Sequence, residues 1–287
     1  MFRTTAIGAA LTLVLSNALA APALQTKVYN ADGASFNVNS TLIYGETEAM
    51  VIDAGFTRAD ALRIAANVLD SGKQLKTILV SQADPDYYFG VDTLKQIFPQ
   101  AQVVGTPQVI EKIKEKMAAK LAFWTPRMGV NAPAAPTLPA PLQSMTLKVD
   151  GQAVEVRGTQ GVLAHRPYVW IPSIKTITGT LGVFGNLHLW MADAPTAAQR
   201  SAWSAQLDEM AALMPSVVIP GHMKAGTQLD DSSIAFTKDY LKNYETTLAA
   251  SANSGELIAR MKTAYPDAPP GLALDIGARV SKREMTW

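Results

Sequence analysis

The 287-residue chain contains no cysteine, which excludes disulfide bonds and thiolate metal ligands. Charged residues are also few, at 17% of the chain, and 25 Lys and Arg almost balance 24 Asp and Glu. This balance gives no electrostatic reason to expect a nucleic-acid partner. Histidine is scarce as well, with three copies. Any metal must therefore be held by histidine together with carboxylate or amide groups.

The N-terminal residues differ in character from the rest of the chain. Arg3 precedes an apolar run over residues 6–15, and small residues lead up to Ala20 and Ala21. This pattern predicts a secretory signal peptide over residues 1–20, cleaved after Ala20. The apolar run is shorter than the roughly 20 residues that a bilayer requires, so we expect no membrane span after cleavage. The mature protein, residues 21–287, is expected to be periplasmic or secreted.

Strand and helix patterns alternate through the first half of the mature chain. Apolar and β-branched runs predict strands at residues 35–44, 49–54, 76–81 and 103–105. Helical spacing predicts helices at 57–69 and 91–97 and a long helix from Pro107. Thr57 is expected to cap the first of these helices and Gly72 to end it.

A proline- and alanine-rich stretch over residues 131–141 interrupts these elements and predicts a surface connection, a candidate hinge between the two halves. Strands are predicted beyond it at 145–149, 153–157, 168–171, 175–178 and 217–219, with a helix at 196–214. Most later residues are expected to be helical, with Asn253 and Glu256 as a capping pair. Two strand-rich halves with helices around them indicate two facing sheets with helices outside.

The segment SQADPDYYFG, residues 81–90, follows a predicted strand and resembles the metal-binding loop (S/T)HxHxDHxxG of the metallo-β-lactamase superfamily. Four further motifs occur in that family's order, namely VIDAG at 51–55, HRP at 165–167, TGT at 178–180 and IPGH at 219–222. The resemblance implies a four-layer αββα sandwich of two mixed sheets. Residues 21–287 would form a single domain with a helical C-terminal region and a site between the sheets at one edge.

The resemblance also implies a ligand set, which this chain has altered. The first metal position of the family corresponds here to Gln82, Asp84 and His165, the second to Asp86, Tyr87 and His222, and the bridging carboxylate to Thr180. A metal site of Gln82, Asp84, Asp86, His165 and His222 is expected to hold one divalent ion. Zinc is favoured, with manganese or iron as alternatives. Two metals are not expected, because Thr180 removes the bridging carboxylate.

Roles for these residues follow from the same resemblance. Asp86 is predicted to orient or deprotonate an attacking water, and Tyr87 to donate a hydrogen bond to the substrate. Asp53 is expected to brace the loop by hydrogen bonding. His188, on an apolar stretch predicted to be a strand, is expected to be a core histidine or a substitute ligand. Simple turn formation is the alternative for Asp84 and Asp86, which flank a proline.

Three functions remain open on the sequence. The first is a secreted metallo-hydrolase that acts on a small ester, thioester, lactone or related substrate. The second is a metal-free pseudoenzyme or periplasmic small-ligand-binding protein, favoured by Gln82, Tyr87 and Thr180. The third is a mononuclear iron oxidoreductase or lyase. We favour the first, because acidic residues occupy ligand positions; in every case the expected partner is a small molecule.

Overall fold

A computed structural model describes residues 23–287, and the predicted signal peptide lies outside them. The strands are β1 (Gln25–Asn30), β2 (Asn39–Tyr44), β3 (Glu48–Ile52), β4 (Gln74–Leu79), β5 (Gln102–Gly105), β6 (Ala140–Pro141), β7 (Thr146–Val149), β8 (Gln152–Arg157), β9 (Tyr168–Ile171), β10 (Thr176–Thr178), β11 (Phe184–Gly185), β12 (Val217–Val218) and β13 (His222–Met223). The helices are α1 (Arg58–Ser71), α2 (Pro85–Tyr88), α3 (Val91–Ile97), α4 (Pro107–Met128), α5 (Ala197–Ala212), α6 (Ser232–Ala250), α7 (Ser254–Ala264) and α8 (Leu272–Ser281). No helix in this range is long and apolar enough to cross a membrane.

The strands form two large mixed sheets and one small pair. The first sheet has the order β1-β2-β3-β4-β5-β6, antiparallel up to β3 and parallel from β3 onwards. The second has the order β12-β10-β9-β8-β7, with a parallel pair only between β10 and β12. Strands β11 and β13 pair separately and in parallel. This last pair places His222 beside Phe184.

Three apolar cores show how the layers stack. The middle core joins β2, β3 and β4 of the first sheet to β8 and β9 of the second, with Ile52 and Val169 among its members. A second core packs the other face of the first sheet against α1, α3 and α4, and a third packs the second sheet against α5 to α8. The layers therefore run helix, sheet, sheet, helix. This arrangement confirms the predicted αββα sandwich.

Helix α1 shows how local sequence chemistry fixes an element beside the site. The Thr57 side chain accepts a hydrogen bond from the Asp60 backbone, while the Asp60 carboxylate accepts from the Thr57 backbone, which is a capping box. Asp60 also accepts hydrogen bonds from Tyr29 at 2.7 Å and Ser35 at 2.6 Å. Gly72 ends the helix in the left-handed conformation, so both predicted ends of α1 are confirmed.

Two predicted strands are shorter or absent for a backbone reason. The strand predicted at 35–44 begins only at Asn39, because Phe36 and Asn37 have φ angles of 58° and 55° that break strand geometry. The predicted strand around His188 is wrong. Asn186 has a φ of 56°, and residues 186–190 carry no strand.

The ends of the chain and the Pro/Ala stretch also differ from expectation. Residues 140–141 pair with β5 at the edge of the first sheet, so this part of the predicted hinge belongs to a sheet. Strand β1 was not predicted, whereas helix α8 lies in the C-terminal region that was expected to be helical. Helix α8 packs against the short 3-10 helix Met191–Asp193, where Gly277 lies so close that an added Cβ would be 3.0 Å from Met191 Cβ.

Candidate functional site

The loop over residues 81–90 leaves the end of β4 and is tied to β3 by a buried carboxylate. Asp53 Oδ1 accepts a hydrogen bond from Ser81 N at 2.8 Å, and Asp53 Oδ2 accepts from Ser81 Oγ at 2.7 Å. Asp53 itself has a φ of 65°, a conformation that Asp and Asn tolerate better than most residues. Burial raises the pKa of Asp53 to about 7, although both hydrogen bonds from Ser81 act to lower it.

This raised pKa predicts a pH-dependent contribution to stability. The unfolded carboxyl loses its proton near its ordinary pKa of 3.8, whereas the folded one keeps it until about pH 7. Unfolding between these values releases a proton, so the contribution of Asp53 falls as pH rises from about 4 to 7, by up to about 4 kcal/mol. Asp53→Asn removes this dependence and keeps both contacts to Ser81.

Urea unfolding of the two proteins at several pH values between 4.5 and 7.5 checks this prediction. The free energy of unfolding of Asp53→Asn minus that of wild type should increase with pH and level off above pH 7. The exposed Asp230→Asn serves as a control, because hydrogen bonds from Ser232 lower the pKa of Asp230 and move its effect below pH 4. A difference between Asp53→Asn and wild type that is independent of pH would contradict the assignment.

Asp86 and His222 meet at the edge where the two sheets face each other. Asp86 lies at the start of α2 and His222 in β13, and Asp86 Oδ2 is 3.5 Å from His222 Nε2. His222 Nδ1 lies 2.9 Å from the carbonyl oxygen of Phe36, and the imidazole stacks on Phe184 with ring centroids 5.3 Å apart. Both Asp86 and His222 are 7% exposed. The pair is thus buried, with one side at a cavity.

The protonation of this pair follows from its contacts. A carbonyl oxygen only accepts, so His222 Nδ1 carries the hydrogen and Nε2 presents its lone pair to Asp86. Burial lowers the pKa of His222 to about 4, so the imidazole is neutral at neutral pH. Burial, and then the neighbouring Asp84, raise the pKa of Asp86 well above its ordinary value, which favours the protonated acid. Asp86 is therefore better suited to donate a proton than to act as the predicted base.

Asp84 and His165 lie in a different environment, a charged cluster formed by Asp84, Lys116, Lys120, Arg166 and Asp193. Lys116 Nζ is 3.4 Å from Asp193 Oδ1, and Arg166 Nη2 is 3.8 Å from Asp193 Oδ2. Burial opposes ionisation of Asp193. The pKa of this carboxyl is nevertheless lowered, because it lies close to the positive charges of Arg166, Lys116 and Lys120. Burial and then the Asp193 charge raise the pKa of Asp84.

His165 borders the same charged cluster. Burial, and then the charges of Arg166 and Lys112, lower the pKa of its imidazole to about 4. Its polar neighbours are thus mainly cations, which disfavour a second positive charge beside its ring. No sequence motif pointed to Asp193. It lies in a short 3-10 helix far along the chain, and only packing brings it to the loop.

The other altered ligand positions are occupied by structural contacts. Gln82 is fully buried, and its amide nitrogen donates to the carbonyl oxygens of Pro167 at 2.7 Å and Gly179 at 3.2 Å. Thr180 Oγ1 accepts from Gly182 N at 2.9 Å. Tyr87 is fully buried, and a Cβ added to Gly221 would lie 2.6 Å from its hydroxyl oxygen. Neither Gln82 nor Tyr87 lines the cavity beside Asp86.

The predicted metal ligands do not come together as one group in the described residues. Over residues 23–287, no group of three or more His, Asp and Glu side chains is placed to hold a metal ion. Asp86 and His222 form a pair, whereas Asp84 and His165 lie in or beside the charged cluster with its cations. Within the described residues Gln82 Oε1 is buried without a hydrogen-bond partner, but the amide nitrogen of Gln82 is fixed by two carbonyl oxygens. Catalytic metal sites commonly use three protein ligands. The predicted ligands as placed here therefore do not form such a site.

A cavity of about 490 Å3 opens beside Asp86 and His222. Much of its lining is an aromatic wall, defined by Phe36, Phe56, Trp124, Trp190 and Trp287. The members of this wall touch edge to face, with ring centroids 5.2 Å apart for Phe56 and Trp124 and 5.3 Å apart for Trp190 and Trp287. Polar lining groups are few and include Asp84, Asp86, Lys120, His188 and His222.

The far end of the chain completes this cavity. Residues 269–273 and Trp287 line it, and Trp287 Nε1 donates a hydrogen bond to Asp193 Oδ1 at 3.1 Å. Lys120 Nζ lies 4.7 Å from the centroid of a Trp287 ring, a cation–π contact. The sequence motifs end at residue 222, so they contained no signal for the part of the lining formed by residues 269–273 and Trp287.

The fold and the motif order identify the family. The model of the metallo-β-lactamase superfamily matches residues 34–222, and the chain belongs to that superfamily. Its members are mostly metal-dependent hydrolases and generally bind divalent metals. The matched range ends at His222, so residues 269–273 and Trp287 of the cavity lining lie beyond it.

Solved structures show the same fold at low sequence identity. A metallo-β-lactamase family protein from Thermus thermophilus is 17% identical, with a TM-score of 0.60 over 91% of this chain and 93% of that one. A β-lactamase domain protein from Burkholderia ambifaria is 14% identical, with a TM-score of 0.61 over 92% and 85%. A metallo-β-lactamase from Pontibacter korlensis is 18% identical, with a TM-score of 0.51 over 81% and 100%. No curated protein sequence is detectably similar to the chain.

Proposed function

We propose that this protein binds a small, largely apolar molecule in the cavity beside Asp86 and His222, and that binding does not depend on a metal held by the predicted ligand set. The observation that carries the proposal is the cavity itself. Its volume of about 490 Å3 falls within the range typical of small-ligand sites. The aromatic wall offers a large apolar surface to a flat ligand. A periplasmic or secreted location, expected from the signal peptide, suits such a role.

The charge of the lining favours an uncharged ligand. Burial lowers the pKa values of His188 and His222 to about 4, so both rings are neutral at neutral pH. Burial also raises the pKa values of Asp84 and Asp86, which favours their neutral forms. A charged ligand would lose its hydration on entering the cavity, which costs free energy, and Lys120 would be the main charge available to compensate for this loss.

Titration of the mature protein with 2-acetylnaphthalene and 2-isopropylnaphthalene tests the proposal. These uncharged probes have nearly the same shape, and binding is followed by calorimetry and by quenching of Trp124, Trp190 and Trp287, which line the cavity. We expect saturable binding of one molecule per chain, with Kd on the order of 1–100 µM. Failure of both probes to bind would contradict the proposal.

Hydrolysis is a second candidate, favoured by the Asp86 and His222 pair. A water molecule that replaces Asp86 as the partner of His222 Nε2 would lose a proton to this nitrogen as it attacks an ester carbonyl, and the Asp86 acid would give its proton to the departing alkoxide. Transfer of the proton from His222 to Asp86 would then restore both groups. Both groups line the same cavity, and burial holds both pKa values away from their ordinary range. This route uses side chains that the structure already brings together.

Turnover of methyl 2-naphthoate, an ester whose leaving group is methoxide, by Asp86→Asn and by wild type tests this second candidate. Asparagine keeps the shape of the side chain but cannot supply the proton, so kcat should fall about a hundredfold while KM changes little. The surface variant Asp208→Asn is the control and should match wild type. Wild-type turnover no faster than that of Asp86→Asn would contradict hydrolysis by this pair.

A further inference from the structure

His188 is a buried polar residue of the cavity lining whose hydrogen bonding is incomplete among residues 23–287. It lines the cavity, its residue is 4% exposed, and it corresponds to none of the ligand positions that the sequence motifs imply. Nδ1 lies 2.9 Å from the hydroxyl oxygen of Tyr240 on α6, whereas Nε2 is buried without a hydrogen-bond partner among residues 23–287. Buried polar atoms without partners are rare in folded proteins, and such an atom on a residue that lines a cavity points to a group that a ligand reaching it would satisfy.

The contact with Tyr240 defines which kind of atom the ligand must present. Within residues 23–287, His188 Nδ1 is the acceptor within hydrogen-bond reach of the buried Tyr240 hydroxyl, so the phenol donates and Nδ1 accepts. The neutral imidazole then carries its hydrogen on Nε2. The edge-to-face packing of the two rings, with centroids 5.8 Å apart, holds this orientation. His188 Nε2 is thus a fixed donor in need of an acceptor.

We propose that the cavity ligand is an apolar molecule with a carbonyl oxygen, and that this oxygen accepts a hydrogen bond from His188 Nε2–H. The inference rests on the proposed function, because it concerns the ligand of the same cavity. An uncharged carbonyl suits the site better than a carboxylate, since a carboxylate would lose its hydration among mostly apolar lining residues. Ketones, esters, lactones and amides share this acceptor. Tyr240 is a positioning residue that fixes the donor form of His188.

The two naphthalene probes separate this inference from the proposed function. 2-Acetylnaphthalene carries the carbonyl and 2-isopropylnaphthalene does not, so the ratio of their affinities reports the hydrogen bond while the shared ring system reports the cavity. His188→Phe removes the donor. The affinity ratio, defined as the affinity for 2-acetylnaphthalene divided by that for 2-isopropylnaphthalene, should therefore fall about tenfold. His188→Gln places an amide nitrogen near the position of Nε2 and should restore part of the ratio.

Two tyrosine variants on α6 test the positioning role. Tyr240→Phe releases Nδ1, so His188 can place its hydrogen on either nitrogen, and the affinity ratio should fall a few fold. Tyr244→Phe is the matched control, because the Tyr244 hydroxyl bonds instead to Gly277 at 3.1 Å and Ser281 at 2.9 Å. It removes an equally buried phenol hydroxyl from the same helix and should leave the ratio unchanged.

Infrared spectra of 13C-carbonyl 2-acetylnaphthalene give a readout that a purely structural role of His188 would not move. The carbonyl band should shift to lower wavenumber in the wild-type complex and return to its non-bonded position with His188→Phe. An unshifted band in the wild-type complex, or an affinity ratio unchanged by His188→Phe, would overturn the inference while leaving the proposed function intact. Failure of the wild type to bind either probe would contradict the proposed function itself.

Discussion

Gly90→Ala is expected to destabilise the protein by at least about 3 kcal/mol, or to prevent folding altogether. An alanine Cβ at this position would lie 2.1 Å from the carbonyl oxygen of Ala54 and 2.9 Å from the Cβ of Ala61. The first contact is with backbone at the end of β3, and the second with helix α1, so neither atom is free to move aside. Gly90 N also donates to Gly55 O at 3.1 Å. Such overpacking normally costs about 1–3 kcal/mol of folding free energy. A cost of about 3 kcal/mol or more is expected here, because backbone atoms block the new Cβ.

Urea unfolding measures this effect, with Gly33→Ala as the matched control. Among residues 23–287, no heavy atom lies within 4 Å of a Cβ added at Gly33, so the control should lie within about 0.5 kcal/mol of wild type. If Gly90→Ala and Gly33→Ala unfold at the same urea concentration, the loop does not pack against β3 and α1 as described. The expected result would explain why this glycine of the family loop is retained although the loop histidines are not.

Gly271→Trp is expected to weaken binding of both naphthalene probes by about a hundredfold. Gly271 lines the cavity at an exposed position, and no heavy atom of the described part of the chain lies within 4 Å of an added Cβ. Its φ of −177° and ψ of 179° are ordinary extended values, so a larger side chain costs no backbone strain. An indole here would compete with the ligand for the same 490 Å3. The loss corresponds to about 3 kcal/mol of binding free energy.

The conservative change Gly271→Ala keeps the cavity open and should bind within about threefold of wild type. Equal melting temperatures for the two variants would show that a difference in affinity comes from occupied space. Strong probe binding by Gly271→Trp would place the probe elsewhere on the protein and contradict the cavity assignment. The same comparison tests whether the C-terminal residues, which lie beyond the family match, take part in binding.

Sequence motifs predicted the layers of the fold because each motif fixes a local turn. VIDAG and the loop at 81–90 lie at the ends of β3 and β4, and the capping signals at Thr57 and Gly72 define α1. Strand β1 escaped prediction, whereas helix α8 lies in the C-terminal region that was expected to be helical. The strand around His188 was wrong, because Asn186 adopts a left-handed conformation that its neighbours do not reveal.

The site was less predictable, because its chemistry depends on residues brought together only by packing. The motifs named Asp86 and His222, which lie 3.5 Å apart. They also named Asp84 and His165, but Asp193 and its cations surround that region and were invisible in the sequence. The aromatic wall draws on residues from 36 to 287. No single segment of the chain encodes a surface assembled from such distant positions.

The departure from the family ligand pattern has a simple physical result. At two of the retained ligand positions, burial favours the neutral forms of Asp86 and His222, which face each other, and the side chains of Gln82 and Thr180 form hydrogen bonds within the fold. Binding energy in this cavity then comes mainly from apolar burial against the aromatic wall, with a hydrogen bond from His188 to select the ligand.

The most direct test is calorimetric titration of the mature protein with 2-acetylnaphthalene in three conditions: as purified, after dialysis against EDTA, and after EDTA treatment followed by one equivalent of zinc. Elemental analysis of the same samples gives the metal content. We predict Kd values that agree within about twofold in all three conditions. A tenfold loss of affinity on EDTA treatment, recovered when zinc reaches one ion per chain, would contradict the metal-independent account.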